Sequence, residues 1–132
     1  MVLVDTSIWI DYVSARPGAA ARRLDELAAA GTPFALTPVI LQEILQGARS
    51  RHEFRRLRRN LLTQRFIFPL DPVGSYVAAS EIYFRCRRAG VTPRSTIDCL
   101  IAQIAVENQA ALLHNDADFE RIATVVTELV IY

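Results

Sequence analysis

Short apolar runs recur along this chain, at Val2-Leu3-Val4, Phe34-Ala35-Leu36, Phe66-Ile67-Phe68 and Ala111-Leu112-Leu113, and segments with helical periodicity separate them. Runs this short and this apolar read as strands buried on both faces. Their alternation with helices predicts a parallel sheet covered on both sides. Residues 125–131 alternate loosely and read as a fifth, edge strand. The expectation is an α/β fold with a central parallel sheet of about five strands and helices on both faces. A single domain spanning residues 1–132 accommodates it, burying roughly two-thirds of the unfolded surface.

Punctuation between the runs supports this order. Residues 6–13 and 17–30 read as helices, and Gly31 stops the second. Thr37-Pro38 and Asp71-Pro72 each give a cap followed by proline at the first helical position. The helices they open run to about Gly47 and Ala89. Thr92-Pro93-Arg94-Ser95 introduces another, through about Asn108, and Asn115 or Asp116 caps a last one through Ile122. Cys86 and Cys99 fit no metal-ligand spacing and read as small core residues with reduced thiols. No stretch of about 18 apolar residues occurs, so no membrane span is expected. The start lacks a basic segment followed by an apolar one, which points to the cytoplasm.

Four acids stand at comparable places. Asp5 ends the first run. Glu43 lies in the helix after the second, on a face shared with Val39, Ile40 and Gly47. Asp98 lies in or near the first turn of the helix leading to the fourth run, and Asp116 follows that run. In open parallel sheets, ligands bind beyond the carboxyl ends of the strands. Asp98 joins the others there only if its helix begins near that edge. Each acid also has a structural reading: Asp5 and Asp116 as caps, Ser95-x-x-Asp98 as a capping box, Glu43 at the wet edge of its stripe. Four carboxylates brought close repel one another, so such a cluster implies a bound cation. All-oxygen donors select Mg²⁺ or Mn²⁺, which polarise phosphoryl oxygens and activate water.

All 15 basic residues are arginine, which excludes a P-loop lysine and Schiff-base chemistry. Seven of them fall within residues 49–65, forming a basic patch that is either a phosphate-binding face or a solvated helix. His114 reads as a strand-end residue rather than a general base.

The segments Val2-Leu-Val-Asp-Thr-Ser-Ile-Trp-Ile-Asp11, Thr37-Pro-Val-Ile-Leu-Gln-Glu-Ile-Leu-Gln-Gly47, Thr96-Ile-Asp-Cys-Leu-Ile-Ala102 and Leu112-Leu-His-Asn-Asp-Ala-Asp-Phe119 together resemble the PIN domain, and more closely the VapC toxins of VapBC toxin–antitoxin modules. The resemblance covers nearly the whole chain. It implies an α/β/α sandwich and a Mg²⁺- or Mn²⁺-dependent endoribonuclease. By that match Asp5, Glu43, Asp98 and Asp116 form the catalytic quartet, with Asp5, Asp98 and Asp116 as metal ligands. Thr6 and Asp118 are supporting residues, and Arg49, Arg51, Arg55, Arg59 and Arg94 are expected contacts for RNA phosphates. The resemblance also implies a homodimer, a VapB-type antitoxin that inhibits the enzyme, and operator DNA bound through that antitoxin. Its groove is expected around residues 9–12 and 41–57. Two rival readings stand beside it: a non-catalytic nucleic-acid-binding or interaction domain on the same fold, and a DNA nuclease.

Overall fold

In the computed structural model, which describes residues 1–14 and 16–132, the chain runs β1 (Val2–Val4), α1 (Thr6–Tyr12), α2 (Ala19–Ala29), β2 (Phe34–Ala35), α3 (Pro38–Gln46), α4 (Arg51–Leu61), α5 (Gly74–Arg88), α6 (Thr96–Glu107), β3 (Ala111–Leu113) and α7 (Ala117–Val125). The sheet is parallel, in the order β2-β1-β3, with Leu3 opposite Ala35 on one side and Leu112 on the other.

The expected five strands are thus three among the described residues. The third and fifth survive as single parallel bridges, Leu36 with Phe66 and Leu112 with Ile131, one on each outer side. Pro69 lies just past the first bridge and lacks an N–H to extend a ladder. The expected start of the fifth strand is consumed by α7, which continues through Val125.

Chain direction now locates the functional edge. From β1 the chain steps to β2 and then to Phe66, moving outward on one side. It then crosses to β3 and moves outward to Ile131 on the other. The switch point lies between β1 and β3, where ligands bind in sheets of this kind. Right-handed crossovers place helices of the two progressions on opposite faces. Accordingly α1 packs on α2 and α3, and α3 on α4, while α5, α6 and α7 pack on one another. Helices that return between parallel strands run against them, so α3 and α6 both begin at the carboxyl edge.

Val2, Leu3 and Val4 are buried, as are Trp9, Ile101, Leu112 and Phe119. Gly31 and Gly90, at φ +67° and +79°, follow the ends of α2 and α5 in the left-handed region that a side chain disfavours. Both cysteines are buried and free. Asp11, an acid within the first motif, accepts the N–H groups of Gly18 and Ala21 and thereby serves the start of α2. No described helix is long and apolar enough to cross a membrane.

Candidate metal centre at the switch point

Asp5 continues the β1–β3 ladder, its N–H donating to Leu113 O at 2.9 Å. Its side chain is buried, and Oδ2 accepts both the Ser7 N–H at 3.0 Å and the Ser7 hydroxyl at 2.6 Å. The cap reading of Asp5 therefore holds, yet it uses one oxygen and leaves Oδ1 without a donor among the described residues. Ser7 Oγ also accepts the Asn115 N–H at 3.0 Å, tying the end of β1 to the loop after β3.

Glu43, in the second turn of α3, accepts a 2.8 Å hydrogen bond from Thr6 Oγ1 through Oε1. Burial raises its pKa, the Thr6 bond opposes that rise, and the charge of Asp5 adds to it. Asp98 sits in the first turn of α6, and the return direction of that helix brings it to the edge. Ser95 caps α6 by accepting the Ile97 N–H at 3.1 Å, but Asp98 accepts no hydrogen bond among the described residues, so the reciprocal half of the capping box is not formed. Burial, followed by the charges of Asp116, Asp5, Asp118 and Glu43, pushes its carboxyl up to about 7. The other four acids therefore all lie near enough for their charges to act on Asp98.

Asp116 caps α7, its Oδ1 accepting the Asp118 N–H at 2.9 Å. Carboxylate oxygens of Asp98, Asp116 and Asp118 lie within 4.8 Å of one another. Asp5, expected beside Asp98 and Asp116, falls outside that tight trio. Asp118, expected only as support, falls inside it. Its oxygens are committed, however: Oδ2 accepts Arg94 Nε at 2.9 Å and Oδ1 accepts Arg121 Nη2. Burial works to raise the Asp118 pKa, but the hydrogen bonds and charges of the two arginines outweigh it and hold it low. Arg94 also reaches Asp116, with Nη2 3.5 Å from Oδ1.

His114 is buried at the end of β3, and its Nδ1 accepts the Asp116 N–H at 3.0 Å. It shapes the turn carrying the acids, in keeping with its strand-end reading. Of the arginines expected at phosphates, Arg94 alone contacts the acids. Arg49, Arg51, Arg55 and Arg59 are exposed and form no ion pair with them; Arg49 lines a groove among α1, α3 and α4, and Arg51 stacks over Phe54. Ser7 and Arg121 were not singled out from sequence. Arg121 had a signal, since it stands three residues after Asp118 on one helix face.

The donors fit a hard divalent cation. They are all oxygen, Asp5 and Asp116 are fixed through one carboxylate oxygen while the other accepts no hydrogen bond among the described residues, and the Asp98 carboxyl has no cationic partner in direct contact among them.

The chain is similar over nearly its whole length to known proteins. The profile of the family described as PIN domain matches residues 2–125. Ribonuclease VapC11 of Mycobacterium tuberculosis is 39% identical over 128 residues, covering 95% of this chain and 93% of that protein. Among solved structures, VapBC2 of Rickettsia felis bound to a promoter DNA fragment aligns over 100% of this chain and 98% of that one, at a TM-score of 0.78 and 20% identity. That likeness speaks for the fold alone. A toxin–antitoxin complex from Klebsiella pneumoniae aligns at a TM-score of 0.64 and 26% identity, covering 99% and 100% of the two chains.

Proposed function

This chain belongs to the PIN domain family, and from that premise we propose that it is a VapC-type toxin, a Mg²⁺- or Mn²⁺-dependent endoribonuclease restrained by a VapB-type antitoxin. The observation that carries this reading is the convergence of Asp5, Glu43, Asp98 and Asp116 on one sheet edge, with the Asp98 carboxyl raised to about 7 by burial and its acidic neighbours.

Asp5 Oδ1, the Asp98 carboxylate and Asp116 Oδ2 are the oxygens available to hold the cation. When bound, such an ion polarises the phosphoryl oxygen and makes water a better nucleophile. Glu43 orients that water and accepts its proton in this reading, which is supported by the Thr6 bond to Oε1, by an Oε2 that accepts no hydrogen bond among the described residues, and by partial burial, which makes the carboxylate a stronger base than an exposed glutamate. Cleavage leaves a 3′-hydroxyl and a 5′-phosphate. Arg94 meets a phosphate beside the scissile one, and Arg49, Arg51, Arg55 and Arg59 supply a more distant basic face.

The groove lined by Ile10, Val13, Ile44, Arg56 and Leu57 is our choice for the antitoxin, since Ile10 is 53% exposed there among apolar neighbours. Operator DNA is engaged through the antitoxin. A homodimer is supported by Val73, Tyr76, Val77 and Phe84, large apolar side chains exposed along and just before α5. The protein acts in the cytoplasm.

Antitoxin-free protein incubated with total cellular RNA, and separately with single-stranded DNA, tests the reading. Discrete RNA fragments formed in Mg²⁺ or Mn²⁺ and absent in EDTA support it. Cleavage of DNA in preference to RNA, or RNA cleavage unaffected by EDTA, overturns it.

A further inference from the structure

Asp118 differs from the other acids of the edge. It is 2% exposed, and each carboxylate oxygen is taken by a different arginine. A cation there would have to share oxygens that two guanidinium groups already hold, with both positive charges against the same carboxylate. The arginines themselves are the exposed partners: the Arg94 side chain is 71% exposed and that of Arg121 is 54% exposed. Arg94 engages Asp118 through Nε, with Nη2 3.5 Å from Asp116 Oδ1, and Arg121 engages Asp118 through Nη2, so among the described residues each guanidinium keeps N–H donors that no acid takes. They come from separate elements, the loop before α6 and the body of α7, and Asp118 is the group that brings them together.

We propose that Asp118 is a positioning residue rather than a metal ligand, and that it holds Arg94 and Arg121 as a two-arginine clamp for an RNA phosphate flanking the metal centre. The proposal deepens the ribonuclease reading and rests on it. Two guanidiniums fixed by a buried carboxylate lose little freedom on meeting a phosphate, and their planar forks match its oxygens. The clamp also assigns unequal roles to the two acids of the Asp116-Ala117-Asp118 turn, one toward the cation and one toward the substrate backbone.

The test uses full-length protein on a Glu43→Gln background, in which the mechanism allows binding without cleavage. Mn²⁺ affinity is read by calorimetry. Affinity for a short fluorescein-labelled single-stranded RNA of mixed sequence is read by anisotropy, in Mn²⁺ and over a range of salt. Asp118→Asn is expected to keep Mn²⁺ affinity within about twofold while weakening RNA binding, and Arg94→Ala and Arg121→Ala are each expected to lower the salt slope by about 0.7, the loss of one phosphate contact on a single strand. Loss of Mn²⁺ binding in folded Asp118→Asn overturns the proposal, because Asp118 is then a ligand. Unchanged RNA affinity and slope in both arginine variants overturns it as well, and these surface changes decide the matter even if Asp118→Asn fails to fold. Failure of the unsubstituted background to bind Mn²⁺ tells against the ribonuclease reading instead, and the arginine arm still decides the clamp.

Discussion

The carboxyl edge of the sheet and helix α4 are the two most charged regions of this molecule, and they are built on opposite principles. At the edge, acids 93 residues apart, Asp5 and Asp98, meet because strands and returning helices end there. Burial, and then the charges of its acidic neighbours, raise the Asp98 carboxyl, and the Ser7 and Thr6 bonds pin Asp5 and Glu43. On α4 the arginines cluster in sequence, all but the half-buried Arg56 are exposed, and none pairs with the acids of that edge; Leu57 and Leu61 hold the helix down while Arg58 and Arg59 end it favourably against its dipole. Density of charge in sequence marks a solvated face. Convergence of like charge from distant segments, held by specific donors, marks a site.

The comparison is broken most easily at Asp98. Asp98→Asn should leave the fold intact and reduce metal-dependent RNA cleavage by more than about 100-fold, beyond the 10–100-fold typical for residues that only orient a ligand. Ser7→Ala should fall inside that 10–100-fold range. It removes the hydroxyl joining Asp5 to Asn115 and leaves the Ser7 N–H in place. Cleavage rates on total RNA with both metals measure the two effects together. If Ser7→Ala were as damaging as Asp98→Asn, the hydroxyl would be acting on the substrate or cation directly.

A smaller effect is expected on the other side. The triple change Arg51→Ala, Arg55→Ala and Arg59→Ala should leave kcat within about twofold, with any loss appearing in KM and in a shallower salt dependence. A fall in kcat comparable with that of Asp98→Asn would mean that α4 belongs to the site and is more than a solvated face.

Much of this was legible in the chain itself. Asp5, Glu43 and Asp116 are recognisable because each follows a strand-like run at short range. Asp98 needed a tertiary fact, the direction of α6, before it could be assigned to the same edge. The pairing of Arg94 with Asp118 spans 24 residues and two elements, and no local pattern encodes it. The outer strands depart from the sequence expectation for a different reason: Phe66 and Ile131 have the apolar character of strand residues, but Pro69 and the length of α7 leave each a single bridge among the described residues.

The smallest effect is thermal. In the metal-free protein, Asp98 titrates near 7 when folded against 3.8 in an unfolded chain, so the folded state binds the extra proton between those values. The stability linked to this group is present below the unfolded value and is lost as pH rises through the folded one. Asp98→Asn removes the penalty, so the variant's Tm should gain on that of the unsubstituted protein as pH rises from about 5 to about 8 in EDTA. Differential scanning calorimetry across that range checks the sign, and α4 variants should show no such trend.

The most direct measurement is a Mn²⁺ titration of antitoxin-free protein by calorimetry at about pH 6 and about pH 8, in buffers of different ionisation enthalpy, with Asp98→Asn alongside. The account predicts saturable binding that tightens with pH, releases close to one proton at the lower pH and few at the higher, and is lost in Asp98→Asn. No saturable binding, or binding equally tight in Asp98→Asn, would contradict it.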